Sequence, residues 1–332
     1  MNNIISLKSR PVGKPELFNF NFHEEPAPKL EGQDKVLLKT LYVSVDPYMR
    51  GQMNDVKSYI PPFVLGEPIR SRLIAQVLES SHSDYQPGNF VYGILDWKEI
   101  QVVDGDALTI VDEQVAPLTA YLGVLGMTGI TAYMGLIKVG LPKAGETIVV
   151  SGAAGAVGTI VGQIGKLLGC RVIGIAGTDE KTAMLKSKFG FDEALNYNAE
   201  LNLREAIAKV CPNGVDIYFD NVGGQISDAV YYNLNNFARV PLCGAISLYN
   251  STSAMSGPRF EYMLITKSIK VQGFIYDNFP EHNEEANKQL SKWLKEGKLI
   301  YTETIAEGFK KLPAAFINLF EGKNEGKMIV KV

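Results

Sequence analysis

The run Ser151-Gly152-Ala153-Ala154-Gly155-Ala156-Val157-Gly158 holds the residues of this chain whose types and spacing point most directly to a chemistry. Such a turn leaves backbone N–H groups uncovered by side chains, and free N–H groups at a helix N-terminus bind an anion such as a diphosphate. Gly155 lets a phosphate approach the backbone, and Gly158 lets the following helix pack close to the preceding strand. The first glycine of the common G-x-G-x-x-G form is replaced by Ala153, with Gly152 one place earlier. A tight connection in any doubly wound sheet uses similar residues, so the flanks decide the reading.

Those flanks supply strand, helix and strand in the required order. Ile148-Val149-Val150 is a β-branched run, and Val161, Ile164, Leu167 and Leu168 follow at helical spacing. Gly169 stands as the C-cap, and Arg171-Val172-Ile173-Gly174-Ile175 is a second buried-strand run. This βαβ unit favours a dinucleotide cofactor. Enzymes that use NAD place an acidic residue about 20 residues beyond the glycines, on the ribose 2′-hydroxyl. Here that place holds Ala176, followed by Gly177 and Thr178, with Lys181 nearby and Asp179 and Glu180 between. A neutral strand end with a lysine beside it favours NADPH over NADH.

With 332 residues the chain has room for two domains with sizeable cores. A hydrophobic share of 46% beside 21% charged residues is that of an ordinary soluble globular protein. A net charge of −3 gives no general attraction to nucleic acid or to an anionic membrane. No long apolar leader or spanning run is present, so neither export nor membrane insertion is expected. Cys170, Cys211 and Cys243 are odd in number and widely spaced, which reads as thiols in a reducing compartment, the cytoplasm. His23, His82 and His282 form no i, i+4 pair and no Cys-rich knuckle, so no metal site is expected.

Residues 1–123 read as short strands and turns, a compact β domain: Lys35–Val45 and Leu73–Glu79 are strand runs, and Asp84–Asn89 is turn chemistry before Phe90–Gly93. After Gly123 strands alternate with helices, with Gly129–Leu136, Glu180–Phe189, Leu201–Val210, Gln225–Leu234 and Glu284–Glu296 as helices. Val215–Phe219, Ala238–Cys243 and Ile269–Phe274 are the intervening strands, a rhythm that predicts a parallel sheet covered on both faces. The tail, residues 298–332, resumes the β style and is expected to fold back onto the first domain, leaving 124–297 as the nucleotide-binding domain.

Several segments together resemble one family: Val45-Asp46-Pro47-Tyr48-Met49-Arg50-Gly51, Gly123–Tyr133, Ala153–Gly158, Asp220-Asn221-Val222-Gly223-Gly224, Cys243–Asn250 and Gly322–Lys327. They are similar to the zinc-independent medium-chain dehydrogenases/reductases, in the group of prostaglandin/leukotriene reductases and alkenal double-bond reductases. That group includes the bacterial NADPH-dependent curcumin reductases, the nearest by these motifs. The resemblance implies an α/β protein with a GroES-like β domain and a Rossmann doubly wound parallel-sheet domain, and a homodimer. The absence of metal ligands fits this branch, since Gly66-Glu67 has no histidine between and no four-cysteine lobe is present.

By the same resemblance, Gly152, Ala153, Ala154, Gly155, Ala156, Val157 and Gly158 hold the diphosphate, and Lys181 and Tyr197 meet the 2′-phosphate. Asn221 contacts the cofactor after a central strand. Cys243, Gly244, Ala245, Ile246, Tyr249, Phe274, Ile275 and Tyr276 line the nicotinamide side, with Tyr48 packed nearby and Asn324 reaching in from the tail. Thr128 stands where many relatives have proline. The implied activity is reduction of the C=C bond of α,β-unsaturated ketones and aldehydes. Hydride adds to the β-carbon, charge moves to the carbonyl oxygen, and donors placed there lower the barrier. With no metal and no obvious catalytic histidine, a tyrosine hydroxyl or the ribose hydroxyl of the nicotinamide is the expected proton donor, the candidates being Tyr59 and Tyr249 among 15 tyrosines. Some relatives carry a tyrosine eight residues before the Phe274 position, where this chain has Thr266. Three other readings stand beside this one: a quinone reductase of the same superfamily, a catalytically idle nucleotide-binding protein, and an S-adenosylmethionine site on the glycine loop.

Overall fold

The computed structural model describes all of residues 1–332. Along the chain the first strands are β1 (Asn2–Leu7), β2 (Phe20–Glu25) and β3 (Lys35–Ser44), then the single turn α1 (Met49–Gln52). β4 (Arg70–Ser80), β5 (Phe90–Asp96), β6 (Ile100–Asp104) and β7 (Thr109–Val111) follow. The helical part opens with α2 (Met127–Tyr133), then β8 (Thr147–Ser151), α3 (Gly158–Leu167), β9 (Arg171–Ala176), α4 (Asp179–Ser187) and β10 (Glu193–Asn196). It continues through α5 (Leu203–Val210), β11 (Val215–Phe219), α6 (Gly224–Tyr231), β12 (Leu234–Leu242), α7 (Glu261–Thr266), β13 (Lys270–Gly273) and α8 (Asn283–Lys295). β14 (Glu303–Glu307), α9 (Leu312–Leu319) and β15 (Lys327–Lys331) complete the chain.

Two compact units result. One comprises Met1–Gly123, Glu303–Asn324 and Met328–Val332, and the other Val124–Thr302 with Glu325–Lys327. In the first, a seven-stranded sheet runs β14-β15-β3-β4-β5-β7 with β6 also on β3, and β1 pairs with β2 in a separate ribbon. β3 and β4 are long because their inward residues alternate into one core, with Val36, Leu38, Val43, Leu73, Ala75 and Val77 buried. Trp97 fills its centre and donates its indole N–H to Ser71 Oγ at 2.8 Å, which satisfies the one polar atom it buries. Phe309, Leu312 and Phe316 from the returning chain pack into the same core.

The second unit is a six-stranded sheet in the order β10-β9-β8-β11-β12-β13, with every pair parallel. Its central strands are buried on both faces, from Ile148 to Val150 and from Ile217 to Phe219, as helices on either side of a parallel sheet require. Counting from β8, this is the 3-2-1-4-5-6 order of a dinucleotide-binding sheet. Its switch point lies between β8 and β11, where a crevice opens at the carboxyl ends of the strands.

Two elements differ from their sequence patterns. The helix expected over Gly129–Leu136 begins at Met127 and widens into a π-helical stretch, Met134–Gly140, that ends at Leu141 in the left-handed region with φ 50°. The helix expected to run from Gln225 to Leu234 stops at Tyr231, and Leu234 already belongs to β12.

Candidate active site

The glycine turn joins β8 to α3. A Cβ on Gly158 would lie 2.4 Å from the Gly152 carbonyl oxygen and 2.7 Å from Ala153 Cα, so only glycine permits this approach of helix to strand. Gly152 itself has φ +58°. Gly155 donates its N–H to Gly152, and Thr159 donates both N–H and hydroxyl to Gly155, which keeps the turn closed. From the far end of the chain, Gly326 donates its N–H to the Ala154 carbonyl at 2.8 Å, two residues beyond the half-buried Asn324. The cradle, with its uncovered glycines at a helix N-terminus, fits a diphosphate.

At the end of β9, Tyr197 stands over Gly177: a Cβ there would meet the Tyr197 hydroxyl at 3.0 Å and its ring at 3.3 Å. Asn198 donates to the Gly177 carbonyl at 2.8 Å, and Thr178 caps α4 by accepting the Lys181 N–H. Asp179 is engaged by Asn196 Nδ2 at 2.8 Å. The half-buried Lys181 ammonium has its pKa lowered by desolvation, opposed by the charge of Glu325. A phenol over Gly177 and a cation in the first turn of α4, after a strand end that carries no acidic residue, fit a phosphate on the ribose.

Beyond the carboxyl ends of β11 and β12 lies an open cavity of about 670 Å³. Of the residues expected on the nicotinamide side, Cys243, Gly244, Ala245, Tyr249, Phe274 and Ile275 line it, whereas Ile246 and Tyr276 are outside the lining. Asp220, Gly223, Leu242, Leu248, Gly273 and Asn278 complete the wall. Tyr249 Oη accepts the Ala245 N–H at 3.2 Å, so the phenol's own hydrogen stays available to donate. Burial first, then the charges of Cys243 and Asp220, raise its pKa above the ordinary tyrosine value, against the lowering hydrogen bond from Ala245. Burial and Asp220 push the Cys243 thiol up to about 12, which leaves it a poor nucleophile.

Asn221 is not a free turn residue. Its side chain donates to the Ser151 carbonyl at 2.7 Å and its N–H to Ser151 Oγ at 3.0 Å, binding the glycine turn's strand to the cavity wall. Asp220, quoted in its motif but given no role there, is the centre of this wall. Oδ1 accepts Ser151 Oγ at 3.0 Å and the Tyr218 hydroxyl, Val222 N and Gly223 N each at 2.9 Å, while Oδ2 accepts Ser227 Oγ at 2.5 Å. Its backbone carbonyl takes the N–H of Cys243 at 2.8 Å and of Gly244 at 3.1 Å. The sequence signal for it is an acidic residue closing the apolar run Val215–Phe219 just before a Gly-Gly turn.

In the other unit, Tyr48 accepts from the buried Arg72 Nη1 at 3.0 Å, and burial followed by Asp46 raises its pKa above the ordinary range. Tyr59 is 62% exposed on a segment pinned by Gln52, whose Nε2 donates to Pro61 at 3.1 Å and whose carbonyl accepts Phe63 N at 2.7 Å. Thr128 is buried in α2. No group of three or more His, Cys, Asp and Glu side chains is arranged to hold a metal ion.

Comparison with known proteins matches this architecture. Residues 3–111 match the family described as the N-terminal domain of oxidoreductase, and residues 156–296 the family described as zinc-binding dehydrogenase. The NADPH-dependent curcumin reductase of Escherichia coli is 44% identical over 98% of this chain and 95% of its own. The NADP-dependent 2-alkenal reductase of Nicotiana tabacum is 44% identical over 91% and 88%. The crystal structure of CurA from Vibrio vulnificus in complex with NADPH superposes with TM-score 0.94 at 46% identity, covering 99% of each chain. The chain therefore belongs to the zinc-independent medium-chain dehydrogenases/reductases, an α/β family with a GroES-like domain and a Rossmann domain, in the group of the curcumin, alkenal and prostaglandin reductases.

Proposed function

We propose that this protein uses NADPH to reduce the C=C bond of α,β-unsaturated ketones and aldehydes, with tyrosine hydroxyls stabilising the enolate. NADPH-dependent reduction of this general kind is what its relatives are named for. NADPH, when bound, supplies the hydride that adds to the β-carbon of the substrate. The diphosphate rests on Gly152–Gly158, the 2′-phosphate on Lys181 and Tyr197, and the nicotinamide end in the cavity walled by Asn221, Cys243–Tyr249 and Phe274–Ile275. Tyr48, Thr128, Tyr276 and Asn324 complete the cofactor site in this reading.

The observation that carries the tyrosine assignment is the Ala245 N–H donated to Tyr249 Oη. An oxygen already accepting from the backbone presents its hydrogen to the cavity, where the carbonyl oxygen of an enone gathers negative charge. Tyr59 is the second donor. Following loss of NADPH absorbance with a simple alkenone, an alkenal and a quinone tests the reading. Turnover of the first two ahead of the quinone is expected; no turnover with any of the three discards it.

A homodimer and a cytoplasmic location belong to the same reading. β13 is one of the two edge strands of its sheet, and Tyr262 and Ile265 on the preceding α7 are exposed, which supports a second copy there. Light scattering on the purified protein checks the dimer. No helix is long and apolar enough to cross a membrane.

A further inference from the structure

We propose that Asp220 places a negative charge in the cavity wall that favours the oxidised, positively charged nicotinamide over the reduced, neutral one, and so assists hydride departure. The residue is 2% exposed, yet it lines the cavity. Its partners are hydroxyls and backbone amides alone: Ser151, Tyr218, Ser227, Val222 and Gly223. Five donors on two oxygens leave the carboxyl group acting as an acceptor only, and none of them carries a charge that would cancel its own. Two half-buried carboxylates of this unit are arranged otherwise: Glu146 lies against Arg239, and Asp192 against Lys166 at 2.7 Å.

A charge held this way reaches its surroundings, because little water is present to screen it. After burial, it is among the charges that raise the pKa values of the neighbouring Cys243 and Tyr249. As the C4–H bond of the dihydronicotinamide breaks with both its electrons, the ring is oxidised and gains one positive charge. The β-carbon gains the hydrogen, the alkene π pair moves to the carbonyl oxygen as the substrate is reduced, and a proton later reaches the α-carbon. Stabilisation that grows with this charge lowers the barrier, whereas equal binding of both cofactor states does not.

The inference rests on the NADPH reading, and its test separates the two. Asp220→Asn removes the charge with little change of shape: Oδ1 keeps its four donors, and the new amide nitrogen can donate to Ser227 Oγ. Dissociation constants of NADP+ and NADPH are measured by calorimetry on wild type and variants. For Asp220→Asn, weakening of NADP+ relative to NADPH by about tenfold is expected, as for loss of one poorly screened charge. Ser227→Ala keeps the charge and removes the single donor to Oδ2, so the preference moves the other way, towards NADP+, by about two- to threefold. Because this variant alters one small side chain, it decides the matter even where Asp220→Asn fails to fold. An unchanged ratio, equal weakening of both nucleotides, or shifts of the same sign in the two variants overturns the role of the charge. Wild type that binds neither nucleotide removes the NADPH reading itself, and this inference with it.

Discussion

The two ends of the crevice at the carboxyl edge of the parallel sheet treat polar groups differently. Beyond β8, β11 and β12 they are sunk and mutually bonded: Ser151, Tyr218, Asp220, Asn221 and Ser227 form one network, with Tyr218 fully buried and Asp220 nearly so. Beyond β9 they are spread over the surface, with Tyr197 40% exposed and Lys181 half-buried. A buried network is fixed before any ligand arrives, so it orients without reorganising. A half-buried cation at the rim binds mainly through charge, which salt screens. Under the proposed function, geometry and chemistry fall to one end, and affinity and choice of nucleotide to the other.

The largest effect expected is from Gly158→Val, which acts on the turn both ends share. The added atoms would meet the Gly152 and Ala153 backbone, which cannot swing aside as a side chain could. Loss of stability by about 3 kcal/mol or more, with no NADPH binding seen by calorimetry, is the expected outcome. Next is Tyr249→Phe, which keeps the ring and removes the donor. It should lower kcat by about 10²–10³ while KM for NADPH stays put. The raised pKa of Tyr249 fixes the sign of its pH dependence. In the proposed mechanism the protonated phenol is the working form, so activity that depends on it persists through the ordinary tyrosine range and falls only as pH rises through the higher folded value. An alkaline limb below pH about 10 that vanishes in Tyr249→Phe would contradict this.

Asp220→Ala sharpens the comparison through stability instead of rate. It leaves three buried hydroxyls and the half-buried N–H groups of Val222 and Gly223 without their shared acceptor. A loss of about 3 kcal/mol in unfolding free energy is expected, as for removal of one partner from a buried polar network. Lys181→Ala, at the wet end, should change stability by less than about 0.5 kcal/mol. Urea unfolding of both variants makes the measurement, and equal losses would end the claim that the two ends are built differently.

What could be read from the sequence, and what could not, divides by the range of the interactions involved. The βαβ unit was legible because its strands are buried on both faces and therefore appear as β-branched runs, and because Gly169, with φ +78°, closes α3 as a left-handed cap. The first half of β12 was not legible. Leu234-Asn235-Asn236-Phe237 has no strand pattern. It is held by the pairing of Leu234 with Val215, by Lys267 Nζ donating to the Leu234 carbonyl at 2.6 Å, and by a bend at Phe237 with φ 60°. Asp220 was visible as part of a motif, but its work lies in bonds to Ser151, 69 residues away, and to hydroxyls that no local spacing announces. The same holds for Gly326 on Ala154, where a residue of the tail completes the glycine turn. Ile246 and Tyr276 were expected on the nicotinamide side from the family motifs; the cavity lining includes their neighbours Ala245 and Ile275 but not them.

The smaller effects lie at the surface end. Lys181→Ala should weaken NADPH by about tenfold at low salt and leave NADH unchanged, with the difference shrinking as ionic strength rises and the Debye length falls. Smallest is Tyr197→Phe. The ring stays over Gly177 and the Tyr197 N–H still reaches the Ala176 carbonyl at 3.1 Å, so only the hydroxyl is lost. One exposed hydrogen bond to phosphate is worth about 1 kcal/mol, so NADPH affinity should fall by about fivefold. The informative quantity is where this loss appears. If the adenosine end only binds, KM for NADPH rises and kcat holds, because the interaction is the same before and during hydride transfer. A fall in kcat with KM unchanged would mean that the hydroxyl also governs how the nicotinamide end is seated, and the division between the two ends would fail at its weakest point.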